Sequence, residues 1–298
     1  MNSNTLSLTL FTTVSAIFAP LSAFSQTQVE AIPVTENIFH FSGTQANCVM
    51  LKESDGTLVV DSANTLDIAK DLQATIKTTG SGPVDYLINT HWHYDHVNGN
   101  PVFADAEATI VAHKAVRSKL QMTPTQEGNA LLPKNALPEI CFDQDLTIFF
   151  ENETVYIYHP ETDGAHTMGD SVVYFKTSNV IAMGDLLFAG MYPYIDPNDN
   201  GWPQGMVAAL HDVEKMIDDK TIVIPGHGPV TDKKGLQESA DMLQDIGQKI
   251  DIMIKEGKTL EQIKKARPTA DWDEKYGKVW MNGDTFTELV YNCLKNHR

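Results

Sequence analysis

The chain alternates short apolar runs with polar, glycine-containing turns, and this pattern predicts many short strands. In the first half, such runs predict a meander of three strands, at 34–41, 47–52 and 57–61. Apolar residues at helical spacing then predict a helix over 65–79, with one buried face formed by Leu66, Ala69, Leu72 and Ile76. Further apolar runs over 86–89 and 109–112 predict two more strands.

The second half repeats this order of elements. Its apolar runs predict strands at 146–150, 155–158, 171–175, 180–183 and 221–224. Helical spacing predicts a helix over 205–218, before the last of these strands, and three later helices at 235–255, 259–266 and 285–295. Because each half gives strands followed by a helix, we expect two similar units packed face to face. The helices of 235–298 are expected to form a cap on one unit and not an independent domain.

Residues 90–100, with the sequence THWHYDHVNGN, contain four potential metal ligands: His91, His93, Asp95 and His96. They follow the apolar run 86–89, so they lie on a loop at the end of a predicted buried strand. Neutral imidazole nitrogen and carboxylate oxygen are accepted ligands of Zn²⁺. A histidine-rich polar loop without a metal is the alternative, but four such residues within six positions favour a metal site.

Three later motifs supply the same kinds of ligand. His166 lies in an AHT turn, Asp185 follows a glycine after an apolar run, and His227 lies in a PGHG motif. Together with the H-x-H-x-D-H motif of 91–96, this pattern resembles the metallo-β-lactamase superfamily over roughly residues 34–232. The resemblance implies an α/β (α+β) fold, a four-layer αββα sandwich with a helical C-terminal extension. It also implies a metal site at the sheet edges between the two halves.

The resemblance further implies two zinc ions per chain. One ion would be bound by His91, His93 and His166. The second would be bound by Asp95, His96 and His227, with Asp185 bridging the two ions. Asp95 would also act as the catalytic residue, because a carboxylate beside the reacting water can orient it or accept its proton. The oxygen ligands of the second site also admit manganese or iron.

The identity of residue 185 bears on the substrate. Some metallo-β-lactamases carry cysteine at this step, whereas glyoxalase II and lactonases resemble this chain in carrying aspartate. The predicted function is an exported zinc-dependent hydrolase in which a metal-bound hydroxide opens amide, lactone or ester bonds of small molecules, β-lactams among them. A thiolester hydrolase of glyoxalase II type is one alternative. A non-catalytic periplasmic metal-binding accessory protein of a quinoprotein system is another, since residues 264–272 (KKARPTADW) resemble family members associated with such systems.

Two aspartates near these motifs have two interpretations each. Asp61 either holds a ligand imidazole from behind or belongs to the start of the following helix. Asp170 is either a similar outer partner or a strand cap, and His113, which lacks a partner motif, is expected to be structural. The loop 186–202 carries apolar and aromatic residues expected to form a substrate pocket wall or, alternatively, a satellite core: Met191, Tyr192, Tyr194 and Trp202.

The first 25 residues contain no charged side chain, and 6–19 are mostly apolar. Small residues at 23 and 25 outline a signal peptide cleaved before Gln26, leaving a single domain over 26–298 in the periplasm or medium. A membrane anchor is the competing interpretation, but Pro20 ends the apolar run early, so no stable membrane insertion is expected after cleavage. The net charge of −17 disfavours nucleic acid and leaves a small molecule as the expected substrate.

The chain has three cysteines, Cys48, Cys141 and Cys293, which are too few for a disulfide framework. The residues around Cys48 and Cys141 are typical of core strands. We therefore expect buried free thiols, with one disulfide as the alternative in an oxidising compartment.

Overall fold

A computed structural model describes residues 28–54, 56–79, 82–125 and 130–297. The predicted signal peptide lies outside the described residues, and the predicted limits of the single domain stay a prediction. Within the described part of the chain, two β-sheets pack face to face and helices cover both outer faces. This is the four-layer arrangement that the sequence predicts.

The first sheet has seven strands in chain order. Strands β1 to β4 pair antiparallel as the predicted meander, and β4 to β7 pair parallel. The carboxyl ends of parallel strands meet at one edge of a sheet, so the loops after β4 and β5 lie side by side. The strands are β1 (Glu30–Pro33), β2 (Ile38–Ser42), β3 (Cys48–Lys52), β4 (Thr57–Val60), β5 (Val84–Asn89), β6 (Thr109–His113) and β7 (Ile140–Phe142).

The second sheet has five strands in the order β12-β11-β10-β9-β8. Strands β8 to β11 pair antiparallel, and β11 pairs parallel with β12. The loops after β11 and β12 therefore lie at the same sheet edge. The strands are β8 (Asp145–Phe150), β9 (Glu153–Tyr158), β10 (Val172–Phe175), β11 (Val180–Ala182) and β12 (Ile222–Ile224).

Four apolar cores hold these layers together. The central core lies between the sheets and contains side chains such as Leu51 and Val60 from the first sheet and Ile157 and Val173 from the second. The helices of the two outer layers and of the intervening loops are α1 (Leu66–Thr78), α2 (Tyr94–Val97), α3 (Asn100–Ala104), α4 (Lys114–Leu120), α5 (Pro203–Glu214), α6 (Lys233–Lys255), α7 (Leu260–Ala266), α8 (Asp273–Tyr276) and α9 (Gly283–Asn296). Helices α1 and α3 cover the first sheet, whereas α5, α6 and α9 cover the second.

Helix α1 illustrates how local sequence produces this packing. Thr65 caps its first turn by accepting a hydrogen bond from the backbone of Ile68. Of the four residues predicted for the buried face, Ala69, Leu72 and Ile76 are at most 1% exposed and face the first sheet, whereas Leu66 is 37% exposed. Burial of a leucine or isoleucine side chain contributes about 1.5–3 kcal/mol, so this face fixes the helix on the sheet.

The N-terminal strand pattern differs from the prediction. The predicted strand 34–41 begins only at Ile38, and an additional strand, β1, precedes it. Between them the chain turns, because Thr35 Oγ1 accepts hydrogen bonds from the backbone N–H groups of Asn37 and Ile38. A local side-chain hydrogen bond of this kind interrupts an otherwise β-prone run.

The cysteine prediction holds for two of the three positions. Cys48 and Cys293 are buried free thiols, and burial raises the pKa of the Cys293 thiol to about 12. Cys141 is also free, but it is exposed, because β7 is the edge strand of its sheet. The expectation that Cys141 is buried is therefore wrong.

The C-terminal helices pack on the second half of the chain. Helix α6 lies along α5, and α9 returns to contact α5, α6 and α7. Residues such as Ile246, Phe286 and Val290 join these helices to the outer core of the second sheet. None of the helices in the described part of the chain combines the length and hydropathy needed to cross a membrane.

Candidate metal centre

The seven predicted ligands come together at the sheet edges between the two halves. They form two donor groups, and within each group one ligand atom per residue lies within 4.8 Å of the others. The first donor group contains His91, His93, His166 and Asp185. The second donor group contains Asp95, His96 and His227.

The loop after β5 supplies four of these side chains. His91 and His93 precede the short helix α2, and His93 has extended backbone with φ −63° and ψ 146°. Asp95 and His96 lie on α2 itself. The change from extended to helical backbone therefore separates the four side chains between the two donor groups.

The other three ligands come from the second half of the chain. His166 lies in the connection between β9 and β10, Asp185 in a 3₁₀ turn after β11, and His227 directly after β12. Gly226 allows the close approach of the last two segments, because a Cβ at this position would lie 2.1 Å from Asp185 Oδ1. No other residue type fits there without displacing the carboxylate.

The Asp185 carboxylate lies between the two donor groups. Its Oδ2 is 3.4 Å from His166 Nε2 and 3.7 Å from His91 Nε2. Its Oδ1 is 3.1 Å from His96 Nε2 and 3.4 Å from His227 Nε2. One oxygen thus faces each group, which is the arrangement that a bridging carboxylate requires.

Several inner atoms of the site lie close to one another but form no hydrogen bond within the described part of the chain. His91 Nε2, His96 Nε2 and Asp185 Oδ1 are buried without a hydrogen bond. Burying polar atoms in this way costs free energy unless a further group binds them. His93 Nδ1 and His166 Nε2 also converge, at 2.8 Å. Imidazole nitrogens and carboxylate oxygens that point to a common centre fit a divalent cation, so these residues fit the metal that the resemblance implies.

Four of the histidines are oriented by a second contact on the other ring nitrogen. His96 Nδ1 lies 2.7 Å from Asp61 Oδ2, and His93 Nε2 lies 3.1 Å from Asp196 Oδ2. His166 Nδ1 lies 2.9 Å from the carbonyl oxygen of Tyr194, and His91 Nδ1 lies 3.1 Å from the hydroxyl of Thr90. When these outer nitrogens donate, the inner nitrogens keep their lone pairs free for a metal.

Asp61 and Asp170, the two aspartates with alternative interpretations, both lie directly behind ligands. Asp61 accepts hydrogen bonds from the backbone N–H and the hydroxyl of Thr90, both at 2.8 Å, in addition to its contact with His96. Asp170 accepts from the backbone N–H groups of His166 and Thr167, also at 2.8 Å. The structure thus favours the outer-partner interpretation for Asp61, while Asp170 fixes the backbone of the His166 turn.

Burial and neighbouring charges together set the pKa values of the side chains in the site. Burial alone would raise the pKa of Asp185, but His227, His96 and His91 hold it well below its ordinary value. Burial would lower the pKa of His227, but the adjacent Asp185 carboxylate raises it to about 9. For His166, burial and the neighbouring His93 lower the pKa to about 4. A metal therefore competes with protons more strongly at His227 than at His166.

A cavity of about 830 Å³ opens onto the metal ligands. His93, Asp95, Asp185 and His227 form its floor, and Met191 and Tyr194 lie in its wall as predicted. The remaining wall residues include Trp92, Tyr94, Phe188, Val279 and Trp280.

Two predicted wall residues lie elsewhere. Tyr192 is 0% exposed and stacks on Phe286, with ring centroids 4.4 Å apart. Trp202 stacks on His297 at 3.8 Å, away from the cavity. The loop after Asp185 turns alternate side chains towards the cavity and towards the C-terminal helices, so its aromatic composition did not indicate which of them face a substrate.

Other residues around the centre were not anticipated from the sequence. Asp196 contacts His93, and Asp199 accepts hydrogen bonds from Trp92 Nε1 and Lys119 Nζ, both at 2.7 Å. Both aspartates belong to the DPNDN segment, whose acidic residues after a predicted ligand were the available signal.

His113 lies outside both donor groups. Its ring stacks on His159, with centroids 4.1 Å apart, and its Nδ1 accepts a hydrogen bond from the backbone of Ala115 at the start of α4. Burial and the nearby His159 lower the pKa of His113 to about 4. These contacts agree with the predicted structural role.

Comparisons with known proteins agree with this geometry. The model of the metallo-beta-lactamase superfamily matches residues 42–238. The chain is 27% identical over 195 residues to a probable metallo-hydrolase, YqgX, of Bacillus subtilis (strain 168), covering 63% of this chain and 87% of that protein. It is 25% identical over 209 residues to a metallo-beta-lactamase type 2 of Bacillus cereus, covering 69% of this chain and 76% of the relative.

Solved structures show the same fold. A metallo-beta-lactamase from Pontibacter korlensis superposes with a TM-score of 0.62 at 20% identity, over 73% of this chain and 100% of that chain. The predicted fold class and the predicted family are thus confirmed. The chain belongs to the metallo-beta-lactamase superfamily and is a metallo-hydrolase of that family.

Proposed function

We propose that the protein is an exported dinuclear zinc hydrolase that opens ester, lactone or amide bonds of small molecules. The observation that carries this proposal is the position of Asp185, whose two oxygens face two separate donor groups. The first ion would be held by His91, His93 and His166, and the second by Asp95, His96 and His227, with Asp185 between them. Zinc accepts this donor set, and manganese or iron would also fit the oxygen ligands.

The chemistry follows from the positions of the side chains on the cavity floor. When bound, a pair of zinc ions polarises a substrate carbonyl and lowers the pKa of water to about 7. Asp95 lies on the same cavity floor, with its Oδ2 at 3.2 Å from His227 Nε2. Burial would raise its pKa, but His96 and His227 lower it, so the carboxylate is ionised and accepts a proton.

Hydrolysis then needs no side-chain nucleophile, because water attacks the carbonyl carbon. The oxygen of water forms a bond to the carbonyl carbon, and the bond from that carbon to the leaving oxygen or nitrogen breaks. Asp95 takes the proton of the water and returns it to the leaving group. His91, His96 and His166 are at most 1% exposed, so substrate approaches from the side of His93, Asp95 and His227.

Export is the second part of the proposal. Residues 1–25 carry no charged side chain and end in small residues before Gln26, which outlines a cleavable leader. Cell fractionation with N-terminal sequencing tests this directly. We expect a periplasmic or secreted protein that begins at or near Gln26, and an intact N-terminus in the cytoplasm would contradict export.

β-Lactams are a second candidate substrate class. A Bacillus cereus relative named metallo-beta-lactamase type 2 supports them. Aspartate at position 185, where some of these enzymes carry cysteine, favours esters and lactones instead. Thiolesters, the substrates of glyoxalase II, remain the other enzymatic alternative.

The test measures turnover and metal content together. The zinc-loaded protein is offered a neutral aryl ester, a lactone, a thiolester and a chromogenic cephalosporin, each with and without chelator. We expect chelator-sensitive turnover of the ester and the lactone. Substitution Asp95→Asn should lower kcat by about 10²- to 10⁴-fold, the range for loss of a general base.

The control for Asp95→Asn is Asp143→Asn, which alters an exposed carboxylate paired with Lys114. Zinc per chain is measured for both variants, so that loss of metal is distinguished from loss of the proton acceptor. A protein that holds two zinc ions and turns over none of the four substrates would contradict the proposal. That result would support the metal-binding accessory protein instead.

A further inference from the structure

The C-terminal segment reaches the mouth of the metal cavity, although it lies outside the region matched by the family model. The match ends at residue 238, whereas Val279 and Trp280 line the cavity. These two residues lie in the turn between α8 and α9 and are 62% and 52% exposed. Large apolar side chains this exposed beside a cavity are typical of ligand-binding surfaces.

Tyr192 fixes this turn to the loop that follows Asp185. Its backbone N–H donates to the carbonyl of Tyr276 at 3.1 Å, and its own carbonyl accepts from Trp280 Nε1 at 2.9 Å. Its hydroxyl donates to Asp273 Oδ1 at 3.0 Å. Trp280 is therefore held in place at the cavity while about half of its surface remains exposed.

The fixed turn contributes to the apolar part of the cavity lining, which we call the aromatic wall: Phe188, Met191, Tyr194, Val279 and Trp280. The polar side chains of the lining outside the metal floor include the neutral Gln45 and Asn198, together with Asp196, whose carboxylate contacts His93. A substrate group packed against the aromatic wall would therefore meet mainly apolar surface.

Lys119 is the one lysine or arginine among the described lining residues, and its charge is already paired. Its Nζ lies 2.7 Å from Asp199 Oδ1 and 4.8 Å from the centre of the Trp92 ring. Recognition of a substrate carboxylate would require a cation that is free to form a charge-assisted hydrogen bond. The chain's net charge of −17 also disfavours anionic molecules.

We propose that Val279 and Trp280 are specificity-determining residues, and that the aromatic wall binds the alkyl or aryl side group of a neutral ester or lactone. This inference rests on the proposed hydrolase function and names its substrate class. The turn between α8 and α9 supplies the outer part of the wall, so the C-terminal helices contribute directly to substrate recognition.

The experiment compares p-nitrophenyl esters of increasing acyl length, from acetyl to hexanoyl, with the zinc-loaded full-length protein. In the wild type, kcat/KM should rise about three- to fourfold for each methylene that packs on the wall. Trp280→Ala should lower kcat/KM for the hexanoyl ester about tenfold, through KM, and change the acetyl ester less than twofold. Trp280→Phe keeps an apolar ring and should recover most of this loss.

Phe149→Ala is the matched control, because Phe149 is an aromatic residue, 81% exposed, on the edge strand β8. It should leave the whole series unchanged. The charge argument is tested with the butyryl and succinyl esters, which have the same chain length. The neutral ester should be preferred at least tenfold. A preference for the succinyl ester, or equal effects of Trp280→Ala on short and long esters, would overturn the inference.

Binding of ketones separates this inference from the proposed reaction. Cyclopentanone and 2-hexylcyclopentanone cannot be hydrolysed, so calorimetry with these ketones measures binding to the aromatic wall without turnover. The hexyl compound should bind at least 100-fold more tightly, and Trp280→Ala should remove about tenfold of that difference. Chain-length-dependent ketone binding without turnover of any ester would overturn the proposed reaction alone. Ester turnover that is insensitive to Trp280→Ala would overturn the aromatic wall alone.

Discussion

Substitution Asp196→Asn tests whether the second contact of a histidine tunes the metal site. In the wild type, Asp196 Oδ2 lies 3.1 Å from His93 Nε2, and its Oδ1 accepts from the backbone of Asn198 at 2.9 Å. Asparagine has the same shape but only one acceptor oxygen. It can satisfy either His93 or Asn198, and in neither case does His93 retain a charged partner.

The expected loss follows from this geometry. Partners of this kind typically change metal affinity by 10- to 100-fold, so the variant should lose about 1.4–2.7 kcal/mol of binding free energy. The backbone contacts of Asp196 remain, since its N–H donates to the carbonyl of His166 at 3.0 Å and its own carbonyl accepts from Gly201 at 2.8 Å. The free energy of unfolding of the metal-free protein should therefore fall by only about 1 kcal/mol.

The assay is competition for zinc against a chromogenic chelator of known affinity. The matched control is Asp199→Asn, the same substitution three residues along the loop, at a side chain that contacts Trp92 and Lys119 and no ligand histidine. We expect the control to change zinc affinity less than threefold. Equal losses in the two variants, or a loss of less than threefold in Asp196→Asn, would refute the reasoning.

Two further substitutions test the packing around the site. Gly226→Ala places a methyl group 2.1 Å from Asp185 Oδ1 and should lower the zinc content measured by mass spectrometry to one ion per chain or fewer, whereas Gly247→Ala in α6, with its nearest contact at 3.3 Å, should leave it unchanged. Tyr192→Ala should lower the free energy of unfolding in urea by about 3–5 kcal/mol, because a fully buried ring that stacks on Phe286 is lost. Tyr192→Phe removes only the hydroxyl and should cost about 1 kcal/mol, and equal effects of the two substitutions would contradict this role.

The ligand set could be predicted from the family resemblance, because the motifs that carry it are local in the sequence. Four ligands lie within six consecutive positions after an apolar strand, and the others follow strands or turns of their own. Strand ends of parallel pairs meet at one edge of a sheet, so residues that follow such strands are brought together by any fold of this class. Amphipathic periodicity likewise predicted α1 and α6 with only small shifts at their ends.

Prediction from local sequence is less accurate for turns and for the burial of edge strands. The turn at Thr35 divides a run that its composition makes β-prone, and Cys141 on the edge strand β7 is exposed although the residues around it are typical of a core strand. Strand propensity reports the fit of a side chain to a pleated surface, and it does not report whether a strand is central or at an edge.

The sequence by itself determined the chemistry of the centre, that is, the histidine and aspartate donors and their order along the chain. Only the tertiary structure decided what surrounds them. Asp196 is 103 residues from His93, and Trp280 is 88 residues from the Tyr192 carbonyl that holds it. The physical reason is that periodicity indicates which face of an element is buried, whereas the contacts between distant loops depend on how the completed layers pack.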